Sequence, residues 1–177
     1  MTNKILLAGF GGQGILFAGK FLAYQGLLED KQISWLPSYG PEMRGGTANC
    51  NVIISDDPIG SPIVSEPDVL VVMNLPSLDR YEDAVAPGGK IFLDSTMISR
   101  KVKRTDVEVF CVPATKLAMQ MEAPTLANMI LTGKLIRETG LVSFDRIEPA
   151  LRKVVSAKHA ELLDKNLSAI KAGYDYL

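Results

Sequence analysis

Two rhythms of apolar and polar positions alternate along this chain. Residues 4–9, KILLAG, form a short apolar run that stops at glycine, as a buried parallel strand does when it feeds a helix. From Gly14 the spacing turns helical: Phe17, Phe21, Tyr24 and Leu28 share one face, beside a second row of Ile15, Ala18 and Leu22. Glu29, Asp30 and Lys31 make a solvated turn before the β-prone residues 32–36, which break at Pro37. Thr47–Ser55 suits a strand, and Asp56-Asp57-Pro58 is expected to turn the chain back in a hairpin. Residues 68–73, DVLVVM, read as the clearest central strand. Residues 90–93 and 107–112 add two more, for a sheet of about six strands.

Beyond Pro113 the pattern is helical. One helix ends at residues 121–123 before Pro124, and a second runs from Thr125 to about Thr139, where Gly140 stops it. Phe144, Ile147, Leu151 and Val154 repeat at helical spacing, so Pro149 requires this helix to kink or to begin at Glu148. Leu163, Leu167, Ile170 and Tyr174 line a final helix. Strands alternating with helices early, and helices late, predict an α/β fold. Its sheet is mostly parallel with flanking helices, a β-hairpin insertion and a helical C-terminal part. No repeat or linker interrupts the pattern, and residues 1–177 are expected to form a single domain.

Composition narrows the chemistry. With 47% hydrophobic and 22% charged residues, the chain reads as an ordinary globular protein. Its formal net charge is −1 and its charges are scattered, which argues against nucleic acid as a partner. The longest apolar region, residues 15–28, is interrupted by Lys20 and Gln25 and is too short to span a membrane. Residues 5–8 run into a glycine turn without a small-residue cleavage site, so a cytoplasmic location is expected. The two cysteines, Cys50 and Cys111, lie far apart, and His159 is the only histidine. An iron–sulfur cluster needs about four cysteine ligands, so neither a cluster nor another metal is expected in this chain.

Gly9, Gly11 and Gly14 satisfy G-x-G-x-x-G between an apolar strand and an amphipathic helix, and Gly12 and Gln13 complete GFGGQG. Such a turn allows close backbone approach, and a helix N-terminus offers free N–H groups to a phosphate or carboxylate. The alternative is that the glycines only let the helix pack close to the sheet. A dinucleotide site also needs an acid at the end of the second strand. Asp30 precedes that strand, which ends in Pro37, Ser38 and Tyr39. A stand-alone nucleotide-binding enzyme is therefore the weaker reading.

Residues 38–47, SYGPEMRGGT, place Tyr39, Glu42 and Arg44 among Gly40, Pro41, Gly45 and Gly46. Solvation or a surface ion pair explains such groups, but loops at strand ends are also where open α/β sheets put their sites. Arg44 would offer a planar cationic fork to a phosphate, a carboxylate or a partner chain. No nucleophile with its base is recognisable, and no catalytic residue is assigned.

GFGGQG after the first strand, SYGPEMRGGT after the second, NVIISDDPIGSPIV and EPDVLVVMN together resemble the gamma subunits of 2-oxoacid:ferredoxin oxidoreductases, in the pyruvate/ketoisovalerate gamma-domain family. The resemblance extends through APTLANMILTG and NLSAIKAGY, and the SYGPEMRGG loop resembles the 2-oxoglutarate and ketoisovalerate types most. It implies a Rossmann-like component of an enzyme that converts a 2-oxoacid and coenzyme A to acyl-CoA, CO2 and reduced ferredoxin. In such complexes thiamine diphosphate lies between the alpha and beta subunits, and iron–sulfur clusters lie in beta and a ferredoxin-like delta subunit. The resemblance thus implies alpha, beta and delta partners, ferredoxin as acceptor, and no cofactor held by this chain. Two roles stay open. In one, Gly9, Gly11, Gly12, Gln13, Gly14 or Arg44 contacts an anion or coenzyme A. In the other, Ser38, Tyr39, Glu42, Arg44, Gly45 and Gly46 serve assembly alone. Trp35, Met43, Met119, Met121 and Met129 are candidates for an apolar contact patch or for core filling, and an isolated chain is expected to be able to pair with itself.

Overall fold

The computed structural model describes residues 1–38, 47–156 and 160–177. Strand β1 (Thr2–Phe10) enters helix α1 (Ile15–Leu27), which returns the chain to β2 (Gln32–Ser38). Strands β3 (Thr47–Ser55), β4 (Val69–Val72), β5 (Lys90–Asp94) and β6 (Glu108–Val112) complete a six-stranded sheet in the order β2-β3-β1-β4-β5-β6. β1, β4, β5 and β6 pair in parallel, whereas β3 runs against both of its neighbours.

The hairpin insertion consists of β2 and β3, with Gln32 opposite Ser55 and Ser38 opposite Asn49. Its position differs from the expectation that Asp56-Asp57-Pro58 would close it. Ser55 ends the ladder and the chain leaves the sheet, because residues 59–67 carry Gly60, Pro62 and Pro67, which pair poorly with a neighbouring strand.

Alternate residues of β1 face opposite sides. Ile5 and Leu7 join Val52, Val69, Val71 and Phe92 under α1 and the C-terminal helices. Leu6 and Ala8 join Leu70, Val72, Ile91 and Leu93 on the other face, against Leu78, Val85 and Ile98. Leu78 belongs to α2 (Leu75–Tyr81), an element the hydrophobic pattern does not announce. Seven residues are too few to show a helical period. Its start is legible in retrospect, because the Asn74 side chain accepts from the Ser77 N–H at 2.8 Å and Pro76 sits in the first turn.

After β6 come α3 (Ala114–Gln120), α4 (Ala127–Thr139), α5 (Ile147–Val154) and α6 (Ala160–Tyr174). Gly140 terminates α4 with φ 59°, and Pro149 falls in the first turn of α5, where no helical hydrogen bond is lost. α4 and α6 cross at backbone distance. A Cβ on Gly133 would lie 2.0 Å from the Ile170 carbonyl oxygen, and one on Gly173 would lie 1.7 Å from that of Ile130.

Candidate functional site

The turn between β1 and α1 lies where the connections out of the sheet diverge. α1 packs on one face after β1, and α2 packs on the other after the adjacent parallel strand β4. In open α/β sheets this divergence opens a crevice at the carboxyl ends of the strands, the usual place for a ligand. Here the chain fills it with its own Gln13. The Gln13 side-chain oxygen accepts from the Phe10 N–H at 2.6 Å, and its Nε2 donates to the Met73 carbonyl at 3.2 Å. Gly9 makes room for this folding back, since a Cβ there would lie 2.6 Å from Oε1 of Gln13.

Gly12 and Gly14 hold φ values of 92° and 74°, so the motif glycines also serve the backbone. Gly14 caps α1 without a side-chain hydrogen bond, and the first turn of α1 carries no acid. Its carbonyl accepts from Nδ2 of Asn128 at 2.9 Å, which ties the turn to α4. Asn128 is buried, and its Oδ1 has no hydrogen-bond partner among the described residues. Asn128 lies within APTLANMILTG, but nothing in that stretch announces a contact with a turn far upstream. Gly11 and Gly12 remain exposed, so the outer surface of the turn is open.

Asp30 stands at the opposite edge of the sheet, in the turn from α1 to β2, with φ 58°. β3 also separates β1 from β2, which places the end of β2 two strand spacings, roughly 10 Å, from β1. Both features remove the acid that would hold a ribose. Ser38 ends β2 and is exposed, while Tyr39, Glu42, Met43, Arg44, Gly45, Gly46 and His159 lie outside the described residues.

Cys50 and Cys111 cannot share a ligand, because three strands lie between theirs, a separation of roughly 19 Å. Cys50 is buried beneath α1 and its Sγ donates to the Ile15 carbonyl at 3.6 Å. Burial pushes its thiol up to about 12, against a smaller opposing effect of a hydrogen bond with Trp35. Among the described residues no group of three His, Cys, Asp or Glu side chains is placed to hold a metal ion. No helix among those residues is long and apolar enough to cross a membrane. Met129 is a core residue, Met121 is half-buried, and Trp35 and Met119 are exposed.

Residues 4–176 match the family model described as pyruvate ferredoxin/flavodoxin oxidoreductase. The chain is 40% identical over 98% of its length to the ketoisovalerate oxidoreductase subunit VorA of Methanothermobacter thermautotrophicus, of which it spans 36%. It is 38% identical over 99% of its length to the 2-oxoglutarate synthase subunit KorC of Methanocaldococcus jannaschii, of which it spans 94%. Among solved structures, the gamma subunit of a keto/oxoacid ferredoxin oxidoreductase from Geobacter sulfurreducens superposes with a TM-score of 0.84 at 27% identity. That match covers 98% of this chain and 96% of the other.

Proposed function

Because the chain belongs to the pyruvate ferredoxin/flavodoxin oxidoreductase family, we propose that it is the gamma-type subunit of a 2-oxoacid:ferredoxin oxidoreductase, which assembles the enzyme without performing its chemistry. The complex would convert a 2-oxoacid and coenzyme A to acyl-CoA and CO2, passing electrons to ferredoxin. Thiamine diphosphate and iron–sulfur clusters would sit in alpha, beta and delta-type partners in the cytoplasm. The 2-oxoglutarate and ketoisovalerate names of the relatives support one of these two oxoacids as substrate. The observation that carries this reading over a nucleotide-binding enzyme is the Gln13 amide lodged between the ends of β1 and β4. The crevice such an enzyme needs is occupied by the chain itself.

The uncapped, acid-free start of α1 favours a finer role at the same edge. There the exposed turn and Arg44 would meet phosphates of coenzyme A held mainly by partner subunits. The test is to purify the tagged chain from its native cells and assay the recovered material for CoA-dependent ferredoxin reduction with several 2-oxoacids. Co-purifying thiamine and iron–sulfur subunits with activity is the expected result. An active lone chain, or one that binds NAD, would overturn the proposal.

A further inference from the structure

Asn128 on α4 reaches the peptide that opens α1. The Gly14 carbonyl accepts from the Ala18 N–H at 3.0 Å, the first bond of the helix, and also from Nδ2 of Asn128 at 2.9 Å. That carbonyl shares its peptide unit with the Ile15 N–H. A donor on the oxygen draws electron density away from the nitrogen and strengthens the N–H as a donor. The N–H groups of Ile15, Leu16 and Phe17 have no hydrogen-bond partner among the described residues. Gly14 is what admits the amide, because its φ is 74° and a Cβ at this position would overlap Nδ2.

Stability does not account for the amide. Asn128 is 4% exposed, and its Oδ1 is enclosed by the chain with no donor among the described residues. A net gain of about 1 kcal/mol from the Nδ2 bond stands against a cost of about 1–3 kcal/mol for the stranded oxygen. An aliphatic side chain of similar shape would avoid that cost and lose only the bond to Gly14. The amide is also aimed at the helix start: Nδ2, Cγ and Oδ1 are the three atoms nearest the position of a Gly14 Cβ.

We propose that Asn128 is a positioning residue for an oxyanion, fixing and polarising the Gly14–Ile15 peptide so that the free N–H groups of α1 face a phosphate oxygen. The inference rests on the phosphate role given above to this turn and names the buried residue behind it. The first turn of α1 carries no acid and no side-chain cap, and exposed Gly11 and Gly12 leave the approach open. Asn128 itself does not touch the anion, since its side chain lies enclosed between α4 and the turn.

The test reads binding and stability separately. Inorganic phosphate is titrated into the isolated, isotope-labelled chain while the amide resonances of Ile15, Leu16 and Phe17 are followed. In the wild-type chain all three are expected to shift to saturation. Asn128→Leu is expected to weaken that binding at least about fivefold, with a urea midpoint no lower than that of the wild type. Asn128→Ala, which cannot overpack the site, should show the same loss of binding if the leucine variant does not fold. Asn166→Leu is the control: Asn166 is 4% exposed, its Oδ1 is stranded too, and its Nδ2 bonds only within α6, to the Leu162 carbonyl at 2.7 Å. It should bind phosphate as the wild type does. In the recovered complex, Asn128→Leu should raise the KM for coenzyme A at least about fivefold with kcat unchanged. Phosphate binding that is equal in the wild type and the Asn128 variants overturns this inference and leaves the turn's phosphate role standing. Weakened phosphate binding beside an unchanged KM upholds it and removes coenzyme A as the source of the phosphate. A wild-type chain whose three amides ignore phosphate overturns both the turn's role and the inference.

Discussion

The side-chain amide of Gln13 donates to the carbonyl of Met73 at 3.2 Å, so that a residue of the glycine turn stitches the ends of β1 and β4 together. Its oxygen holds the Phe10 N–H at 2.6 Å, and Gln13→Ala would leave both backbone groups to find water. Two neutral hydrogen bonds, one exposed and one partly buried, are worth about 1–3 kcal/mol together. Urea unfolding of the variant should show a loss in that range with an unchanged slope. A loss below about 0.5 kcal/mol would mean that water replaces the amide at no cost.

The crossing of α4 and α6 leaves no room for a methyl group. Gly133→Ala and Gly173→Ala are each expected to destabilise the chain by about 3 kcal/mol or more, since the obstruction is backbone oxygen rather than a movable side chain. Gly60→Ala is the control, because nothing stands within 4 Å of its Cβ position. Thermal unfolding of the three variants compares them directly.

Glu82 is 2% exposed and accepts from Arg100 at 2.7 Å and 3.2 Å and from the Lys103 N–H at 3.2 Å. Arg100→Ala strands a buried carboxylate and is expected to cost about 3 kcal/mol. Adding Glu82→Gln should recover part of that loss, which a double-mutant cycle measures.

The thiols should separate in reactivity. Cys111 is exposed on an edge strand, whereas Cys50 is buried with its thiol pushed up to about 12. Iodoacetamide at pH 8 should label Cys111 in the folded chain and reach Cys50 only after unfolding, as peptide mass analysis will show.

The residues that made the fold legible in sequence are those whose constraint is local. The apolar run ending at Gly9, the helical spacing after Gly14 and the stop at Gly140 all appear as expected in β1, α1 and α4. The turn at Asp56-Asp57-Pro58 has strong local chemistry and misplaces the hairpin, while the pairing of β2 with β3 is set by the packing of Ile33 and Trp35 against α1, opposite Ile54 and Val52. The insertion of β3 between β1 and β2 is likewise a tertiary choice that no window of sequence records. At the site, GFGGQG announced its turn, but the partners of Gln13 and Gly14 are Met73 and Asn128, and only the folded chain brings them together.

Extracts of native cells from which this chain has been deleted offer the most direct measurement of its role. CoA-dependent ferredoxin reduction with 2-oxoglutarate or ketoisovalerate should be lost in the extract and restored when the chain is expressed again, while the purified chain alone reduces nothing. Undiminished activity with both oxoacids in the deletion extract would contradict the assignment of this chain to that enzyme.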